Sequence, residues 1–264
     1  MSSTNRIALC IEYNGSKYNG WQRQPQVPSI QQCVENALSI IANQPVTTCC
    51  AGRTDAGVHS IGQVIHFNTE AVRKKSAWIN GVNSVLPKDI AVRWAVFVPN
   101  NFHARFSASA RYYRYIIYNN NCRPGLLTDK VMHYPTFLDK DRMYRASKYI
   151  LGENNYTSFR SSGCQSSTPW RNIRNINIIR YHQYIIINIK ANAFLRHMVR
   201  KIVGCLIEIG NGNQPECWLK TLLAAKKIVS YTAKPEGLYL VSVEYPCNFF
   251  LPKLDKSFLE HFLI

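Results

Sequence analysis

Residues 50–60, CAGRTDAGVHS, place one carboxylate and one guanidinium between two apolar stretches. Asp55 and Arg53 are two positions apart, so on an extended segment their side chains share one face. An arginine so placed can bind phosphate, while the carboxylate can act on a neighbouring group. The competing interpretation is a surface turn, because Asp and Gly are typical turn residues. The sequence therefore predicts either a catalytic loop built around Asp55 or a simple connection.

A second segment, residues 102–118, interleaves basic and aromatic residues in the sequence FHARFSASARYYRYIIY. Arginine neutralises phosphate and aromatic rings stack on bases, so this mixture suits an unpaired nucleic acid. In the part expected to be a strand, Arg111, Tyr113 and Tyr115 point to the same side. The alternative is a half-buried strand whose tyrosine hydroxyls reach water.

A third segment, residues 192–210, has the sequence NAFLRHMVRKIVGCLIEIG. Its C-terminal half is apolar on nearly every side of a helix, which predicts burial on several sides. Arg200 lies on the side of Gly204 and Ile207, and a buried guanidinium needs an acidic partner. Asp55 is a candidate partner, and Arg200 would then lower the pKa of that carboxyl and keep it ionised. A solvent-exposed arginine is the alternative.

Other patterns carry less chemistry. His59, His66 and His197 lack the spacing of metal ligands, so we expect no metal site. The sequence has neither a Gly-rich phosphate loop nor a G-x-S-x-G motif, which removes the usual support for nucleotide hydrolysis and acyl transfer. The polar segments WQRQPQ and GCQSSTPWRNI either contact a ligand or connect elements.

The charge balance favours a polyanionic partner. The chain has 32 Lys and Arg against 15 Asp and Glu, a net charge of +17, and basic side chains gain free energy by displacing counterions from phosphates. No segment approaches the roughly 20 apolar residues of a bilayer span, so we expect no membrane association. Nine cysteines without a C-x-x-C pair indicate free thiols and a reducing cytoplasm.

The elements that must position these residues alternate between strands and helices. In the first half we predict strands in RIALCIEY, VTTCCA, IGQVIHFN and IAVRWAVFV, and a helix-like segment in KKSAWINGVNSVL. A helix should begin after Ser29, which forms a capping box with Gln32.

The second half repeats this alternation approximately. ARYYRYIIYN is a predicted strand, Asp139 caps a helix, and IRNINIIRY and YIIINIKAN pair through a turn at residues 182–183. One more helix should run from about Phe194 to Ile209, another lies in PECWLKTLLAAKKI, and GLYLVSVEYP is the last strand. Adjacent hairpins favour an α+β fold. We expect two related halves, residues 1–105 and 106–264, each a mostly antiparallel sheet with helices, joined around a central catalytic cleft.

Taken together, these segments closely resemble the bacterial tRNA pseudouridine synthase A family, whose members modify the anticodon stem-loop. AGRTDAGVHS resembles the family's catalytic motif, FHARFSASARYYRYIIYN its RNA-binding segment and tyrosine strand, and KANAFLRHMVRKIVG its third block. GLYLVSVEYP is similar to the closing block, and IEYNGSKYNGWQRQ and QSSTPWRNI extend the likeness. The resemblance covers nearly the whole chain in order.

The resemblance implies a role for each of four residues. Asp55 would be the catalytic aspartate and Arg53 the base-flipping arginine. Tyr113 would stack on the target uracil and could serve as a base, and Arg200 would pair with the carboxylate. Two positions depart from the family pattern, Ser167 and Tyr112, where the family has basic residues. These departures put some of the implied phosphate contacts in question, but not the reaction. The implied RNA-binding residues are Phe102, His103, Ala104, Arg105, Phe106, Gly163, Cys164, Gln165, Ser166, Ser167 and Arg73.

The activity implied by the resemblance is the conversion of uridine to pseudouridine at tRNA positions 38, 39 and 40. The family acts as a homodimer with basic clefts for tRNA and needs no metal or organic cofactor. The sequence leaves open whether the carboxylate is a nucleophile or a base at the sugar. It also leaves two alternatives: a non-catalytic RNA-binding protein, and a glycosidase-like nucleic-acid enzyme, which would need a second carboxylate that no motif supplies.

Overall fold

The computed structural model describes residues 4–253, and these form two compact units. The first unit contains the described residues up to Ser109 and again from Leu240, and the second contains Ala110–Tyr239. The sequence-based division at residues 105 and 106 lies near the first boundary. It differs from the observed division at the C-terminal end, where the chain returns to the first unit. Residues 254–264, which that division placed in the second half, lie outside the described residues.

Aromatic packing explains why the C-terminal segment belongs to the first unit. The Phe102 ring lies 5.1 Å from the ring of Phe249 and 5.2 Å from the ring of Tyr245. The Tyr245 hydroxyl also donates a 2.6 Å hydrogen bond to the Ala104 carbonyl oxygen. Such pairs bury large apolar surfaces. They join residues more than 140 positions apart, so no local sequence pattern predicts them.

Three antiparallel strands build the sheet of the first unit. Strand β1 (Asn5–Tyr13) lies between β3 (His59–Thr69) and β4 (Ile90–Val98), and the short β2 (Cys49–Cys50) pairs with β3. The strands predicted in RIALCIEY, IGQVIHFN and IAVRWAVFV are confirmed, whereas VTTCCA contributes only two strand residues.

One long helix covers this sheet. Helix α1 (Ile30–Ala42) begins where the sequence predicted, because the Ser29 side chain accepts a hydrogen bond from the Gln32 N–H. Val34 and Leu38 of α1 are fully buried in a core cluster with β1 and β3. The segment KKSAWINGVNSVL forms a π-helical turn, Ala77–Gly81, that continues into α2 (Val82–Val85).

The second unit contains five further strands of the fold. Its strands are β5 (Ala110–Asn119), β6 (Met132–Tyr134), β7 (Gly152–Asn155), β8 (Trp170–Tyr181) and β9 (Tyr184–Ala191). They lie in the order β5-β9-β8-β7 with antiparallel pairing, and β6 pairs in parallel with β5. The predicted β8–β9 hairpin is confirmed, with its turn at residues 182–183.

Three helices accompany this sheet: α3 (Lys140–Ser147), α4 (Met198–Gly210) and α5 (Trp218–Ala225). Asp139 caps α3 as predicted. Helix α4 starts four residues later than expected because His197 has a left-handed backbone with φ of 63°, which no α-helix can include. The predicted burial of α4 is confirmed on nearly all sides.

Strand β10 (Leu238–Glu244) carries the chain from the second unit back to the first. The α+β prediction is confirmed, since only the β5–β6 pair among the described pairings is parallel. All nine cysteines are free thiols. Between residues 4 and 253 no helix has the length and apolar character needed to cross a bilayer.

Candidate active site

Residues 51–58 form the loop that connects β2 to β3, and we call it the Asp55 loop. Within it Thr54 is buried, Asp55 is half-buried and Arg53 is exposed. The start of the loop continues the pairing with β3, because the Ala51 N–H donates to the Val64 carbonyl oxygen at 2.8 Å. A carboxylate held at partial exposure can meet a ligand while its backbone stays fixed.

The segment from Tyr13 to Trp21 bonds to the Asp55 loop. The Trp21 N–H donates to the Thr54 carbonyl oxygen at 3.0 Å, and the Gly57 N–H donates to the Tyr18 carbonyl oxygen at 3.4 Å. The Thr54 hydroxyl forms a 2.8 Å hydrogen bond with the Tyr13 hydroxyl. The segment from Tyr13 to Trp21 therefore fixes the backbone on both sides of Asp55.

Two glycines make this close approach possible. Gly20 has φ of +88°, and a Cβ there would lie 2.6 Å from the Thr54 carbonyl oxygen and 3.0 Å from the Asp55 carbonyl carbon. A Cβ at Gly15 would collide with the Val58 carbonyl oxygen. The Gly15 N–H also donates to Nδ1 of the buried His59 at 3.1 Å, which gives His59 a structural part. Only residues without a side chain fit at these two contacts.

The predicted RNA-binding residues 102–106 form a turn between β4 and β5, and we call it the basic turn. Phe102 and Ala104 are buried, whereas Arg105 and Phe106 are exposed. The Arg105 guanidinium lies 5.5 Å from the centre of the Phe106 ring, and the His103 ring lies 4.4 Å from it. This turn thus presents a cation and a stacked aromatic pair to solvent, which are the groups that bind phosphate and bases.

Two histidines hold the basic turn in shape. Nδ1 of His66 accepts a hydrogen bond from the Ala104 N–H at 3.1 Å. Nδ1 of His103 accepts from the N–H groups of Arg105 and Phe106 at 3.1 and 3.2 Å. Burial and the charge on neighbouring groups lower the pKa of His66 to about 4, and burial also lowers the pKa of His103. Both rings are therefore neutral near pH 7 and act as acceptors.

The same two histidines lie beside Cys49, and their potential ligand atoms lie within 4.8 Å of one another. Spacing in the sequence could not reveal this cluster, because its members come from three separate segments. A metal would need the unprotonated nitrogen of each ring. That nitrogen is Nδ1 in both cases, and it already accepts backbone N–H groups. The cluster is therefore arranged to support the basic turn rather than to bind a cation.

Arg53 and Arg105, predicted on different segments, lie near one side chain of the first unit. Burial raises the pKa of the Cys50 thiol to about 12, and the charges of Arg53 and Arg105 both oppose that rise. Arg73 is elsewhere, since its guanidinium donates to the carbonyl oxygens of Ile41 and Val72 near the end of α1. The charges of Arg53 and Arg105 thus act on the same thiol, whereas Arg73 bonds to backbone near the end of α1.

In the second unit Tyr113 lies on β5, opposite Ile189 of β9. Its side chain is 8% exposed, and the edge of its ring meets the Phe194 ring at a centroid distance of 5.1 Å. Regular strand pairing fixes the backbone, and Phe194 fixes the plane of the ring. The ring of Tyr113 therefore has a fixed orientation, and a small fraction of its surface is exposed.

Arg200 lies in the first turn of α4 and is half-buried, as the apolar character of the helix suggested. Its Nε donates to the Ala233 carbonyl oxygen at 2.8 Å, and the Ala233 N–H donates back to the Arg200 carbonyl oxygen at 3.0 Å. Burial raises the pKa of Tyr115, and the Arg200 charge opposes that rise. The Tyr115 hydroxyl donates to the Lys234 carbonyl oxygen at 2.6 Å, so Arg200 and Tyr115 bond to neighbouring residues of one segment, and Tyr113 shares a face of β5 with Tyr115.

Residues 163–167 form a loop before β8, and arginines hold it from within the unit. Arg160 donates to the carbonyl oxygens of Cys164 and Ser166 at 2.7 and 2.9 Å, and Arg171 donates to the Ser166 hydroxyl. Burial alone would raise the pKa of the Cys164 thiol. Backbone hydrogen bonds and the charge of Arg160 lower that pKa by more, so the net pKa is lowered. The loop therefore has a positive environment. Its exposed members are Gly163, Gln165 and Ser167.

Sequence reasoning missed several residues that support the segments carrying the predicted site residues. Gly20 supports the Asp55 loop, and His66 supports the basic turn. Lys201, the residue after Arg200, is only 5% exposed, and the sequence pattern assigned it no role. For Gly20 the sequence offers one signal, a pair of Tyr-Asn-Gly sequences at residues 13–20, which is typical of turns but does not show what the turns contact.

Comparisons with known proteins identify the family of this chain. A family profile described as tRNA pseudouridine synthase matches residues 9–107 and 146–246. These residues include the Asp55 loop, the basic turn and α4, whereas Tyr113 lies between the two matched stretches.

Proteins named tRNA pseudouridine synthase A are similar over almost the entire chain. The protein of Enterobacter sp. (strain 638) is 60% identical over 255 residues, which cover 96% of this chain and 94% of that protein. The protein of Cronobacter sakazakii is 60% identical over 250 residues, 94% of this chain and 93% of its own. The protein of Salmonella typhimurium is 59% identical over 254 residues, 96% of this chain and 94% of its own.

Likeness to solved structures is much weaker. An archaeal box H/ACA Nop10–Cbf5 complex matches with a TM-score of 0.35 and 9% identity, over 76% of this chain and 43% of that chain. A TM-score at this level carries no argument about the site.

Proposed function

Because this chain belongs to the tRNA pseudouridine synthase family, we propose that it isomerises uridine to pseudouridine at positions 38, 39 and 40 of the tRNA anticodon stem-loop. The observation that supports this most is the half-buried Asp55, held in a loop whose backbone is fixed by a second loop. Relatives named as synthases give no support to a non-catalytic RNA-binding protein.

The reaction explains why one carboxylate is enough. The N-glycosidic bond of uridine breaks, the uracil turns, and its C5 bonds to C1′ of the same ribose. The C5 proton leaves and N1 gains one, so the substrate supplies every atom and neither a metal nor an organic cofactor is needed. Asp55 acts on the sugar either as a nucleophile at C1′ or as a base, and both roles require the ionised carboxylate. Arg200 would keep it ionised by lowering its pKa.

Arg53 would help to extrude the target base, and Tyr113 would hold it once it is extruded. A uridine in a stem must first leave the stack, which costs a few kcal/mol. The exposed Arg53, two residues before Asp55, is suited to fill the space that the uridine leaves. Tyr113, whose ring is set by Phe194, would stack on the extruded uracil and could accept the C5 proton.

The basic segments would hold the rest of the substrate. The basic turn presents Arg105 and Phe106, and the loop 163–167 is surrounded by arginines. A net charge of +17 supports tRNA as the partner, and nine free thiols support a reducing cytoplasm. We further propose that two copies act as a homodimer, as the family resemblance implies.

The function is tested by incubating the purified protein with an unmodified tRNA transcript and mapping pseudouridine by carbodiimide-blocked primer extension. We expect stops that report positions 38, 39 and 40. Asp55→Asn keeps the side-chain volume but removes the charge, so product should be undetectable while tRNA affinity changes by less than about tenfold, or 1.4 kcal/mol. Turnover by Asp55→Asn within tenfold of the parent protein would refute the assignment of Asp55.

A further inference from the structure

A pocket of about 390 Å³ opens in the second unit beside the N-terminal end of α4. Three of its lining residues are basic or can be protonated, Arg196, His197 and Lys201. Four others carry hydroxyl groups, namely Ser161, Ser162, Ser230 and Thr232. The lining residues include no Asp or Glu. Cations and hydroxyl donors around a concave surface form a site that suits an anion with several acceptor oxygens.

Lys201 is the most unusual member of this lining. Its side chain is only 5% exposed, although lysines are rarely buried unless paired. The ammonium donates one hydrogen bond, to the Arg160 carbonyl oxygen at 3.0 Å, and an ammonium has three donors. Burial lowers the pKa of Lys201, and the effect that opposes this comes from Cys205 rather than from a carboxylate. An anion in the pocket would place a negative charge beside the buried Lys201 ammonium.

The start of α4 adds a second favourable feature. His197 occupies the position before the helix with a left-handed backbone and makes no side-chain cap. Its Nδ1 is instead bonded to the Ser161 hydroxyl at 2.9 Å. A helix N-terminus carries partial positive charge, which favours a bound anion. The 13-residue α4 thus directs its dipole to the same place as the Lys201 and Arg196 charges.

The pocket adjoins the loop 163–167. The Arg196 N–H donates to the Cys164 sulfur at 3.5 Å, and a Cβ at Gly163 would lie 3.1 Å from Arg196 Nη1. On the helix, Lys201 directly follows Arg200. A group in the pocket would therefore be held between the loop 163–167 and the helix turn that carries Arg200.

We propose that this pocket binds one phosphodiester group of the tRNA backbone. This inference rests on the proposed function and names a contact that the catalytic residues do not provide. A phosphodiester fits because its two free oxygens can accept from Lys201 and Arg196 together, and because a polynucleotide can continue from the pocket along the loop 163–167. Seating this phosphate would hold the strand in register with α4, so the pocket contributes to binding rather than to the chemical step.

The test compares Arg196→Gln and Lys201→Gln with Lys220→Gln, a matched control that removes one charge from an exposed position on α5 outside the pocket. The dissociation constant for an anticodon stem-loop transcript is measured at several salt concentrations. We expect each pocket variant to bind about tenfold more weakly, with the slope of log K against log salt reduced by about 0.7–0.9. KM should rise while kcat under saturating tRNA stays within twofold of the parent value, and Lys220→Gln should behave like the parent protein.

Inorganic phosphate serves as a second probe, with its binding followed by titration calorimetry on the same variants. Pocket variants that match Lys220→Gln in affinity and salt slope would overturn the inference. Phosphate binding that is lost in the variants while tRNA binding is unchanged would assign the pocket to free phosphate and overturn the RNA contact. If Lys201→Gln does not fold, as thermal unfolding would show, the exposed Arg196→Gln decides alone. Absence of product with the parent protein would refute the proposed function, whereas the binding comparison would still decide the pocket.

Discussion

The two units hold their functional residues in different ways. In the first unit Asp55 lies on an irregular loop whose shape depends on another irregular loop, through the Trp21–Thr54 hydrogen bond and the contact at Gly20. In the second unit Tyr113 and Arg200 lie on a paired strand and a buried helix. The first arrangement depends on a few close backbone contacts that only glycine allows, and the second depends on regular backbone hydrogen bonding in a strand and a helix.

The same contrast separates the two segments predicted to contact RNA. The basic turn of the first unit rests on neutral imidazole rings that accept backbone N–H groups. The loop 163–167 rests on guanidinium groups that donate to carbonyl oxygens. Imidazole changes charge in the physiological pH range and guanidinium does not. The two segments should therefore respond differently to substitution and to pH.

After the loss expected for Asp55→Asn, the next largest effect is expected at Tyr113, where a regular element should let side-chain chemistry be changed without moving the backbone. Tyr113→Phe keeps the ring but removes the hydroxyl. Loss of a general base typically costs 10²–10⁴-fold in rate, so we expect turnover to fall at least about 100-fold with tRNA affinity retained. Single-turnover assays with C5-tritiated tRNA, which follow tritium release alongside binding, measure both quantities.

Tyr113→Leu provides the matched comparison, because it also removes the stacking surface, worth about 1–3 kcal/mol per base. It should weaken capture of the flipped uridine as well as turnover. Near-normal turnover by Tyr113→Phe would eliminate the hydroxyl role and leave stacking as the function of the residue.

A smaller effect is expected at Gly20, which tests whether the Asp55 loop depends on its neighbour. Gly20→Ala would place a Cβ 2.6 Å from the Thr54 carbonyl oxygen and strain a φ of +88°. We expect the free energy of unfolding to fall by about 2–3 kcal/mol and turnover to fall about tenfold, because Asp55 shifts with the loop. Urea unfolding and the pseudouridine assay measure the two effects.

Gly152→Ala is the control for backbone strain. Gly152 has a similar φ of +80°, but a Cβ there would have no heavy atom within 4 Å. That variant should lose about 1–2 kcal/mol from strain alone and keep full turnover. If Gly20→Ala and Gly152→Ala had equal turnover, the contact at Gly20 would have no part in placing Asp55.

Regular elements were the part of this fold that the sequence could predict. The strands IAVRWAVFV and ARYYRYIIYN were located to the residue, because apolar runs and flanking turn residues are local signals. Ser29 and Asp139 marked helix starts for the same reason. The late start of α4 was not predictable, since it depends on the left-handed backbone of His197, which side-chain periodicity does not record.

The candidate site divides in the same way. Asp55, Tyr113 and Arg200 could be proposed from residue type and family resemblance, and their roles stay predictions. The contacts of Gly20 with the Asp55 loop and of His66 with Ala104 could not be proposed. Both join segments that are distant along the chain, and their energetic basis is close backbone approach and acceptor geometry. Neither property appears in composition or periodicity.

The smallest effect is expected from pH, and it distinguishes the histidine-supported basic turn from the arginine-supported loop. The folded-state pKa of His66 is about 4, below the ordinary value of 6.5, chiefly because of burial. Between these values the unfolded chain binds more protons than the folded one, so stability present above pH 6.5 is lost as the pH falls towards 4. From pH 7.5 to pH 5 the contribution of His66 should be a loss of about 1–2 kcal/mol.

His66→Asn keeps an acceptor for the Ala104 N–H through its amide oxygen but does not titrate, so it should lose that much less over the same interval. Urea unfolding of both proteins at the two pH values measures the difference, and shared carboxylate titrations cancel in it. Equal losses in the two proteins would mean that protonation of His66 does not oppose folding, and the basic turn would then be held by the aromatic contacts of Phe102 with Tyr245 and Phe249.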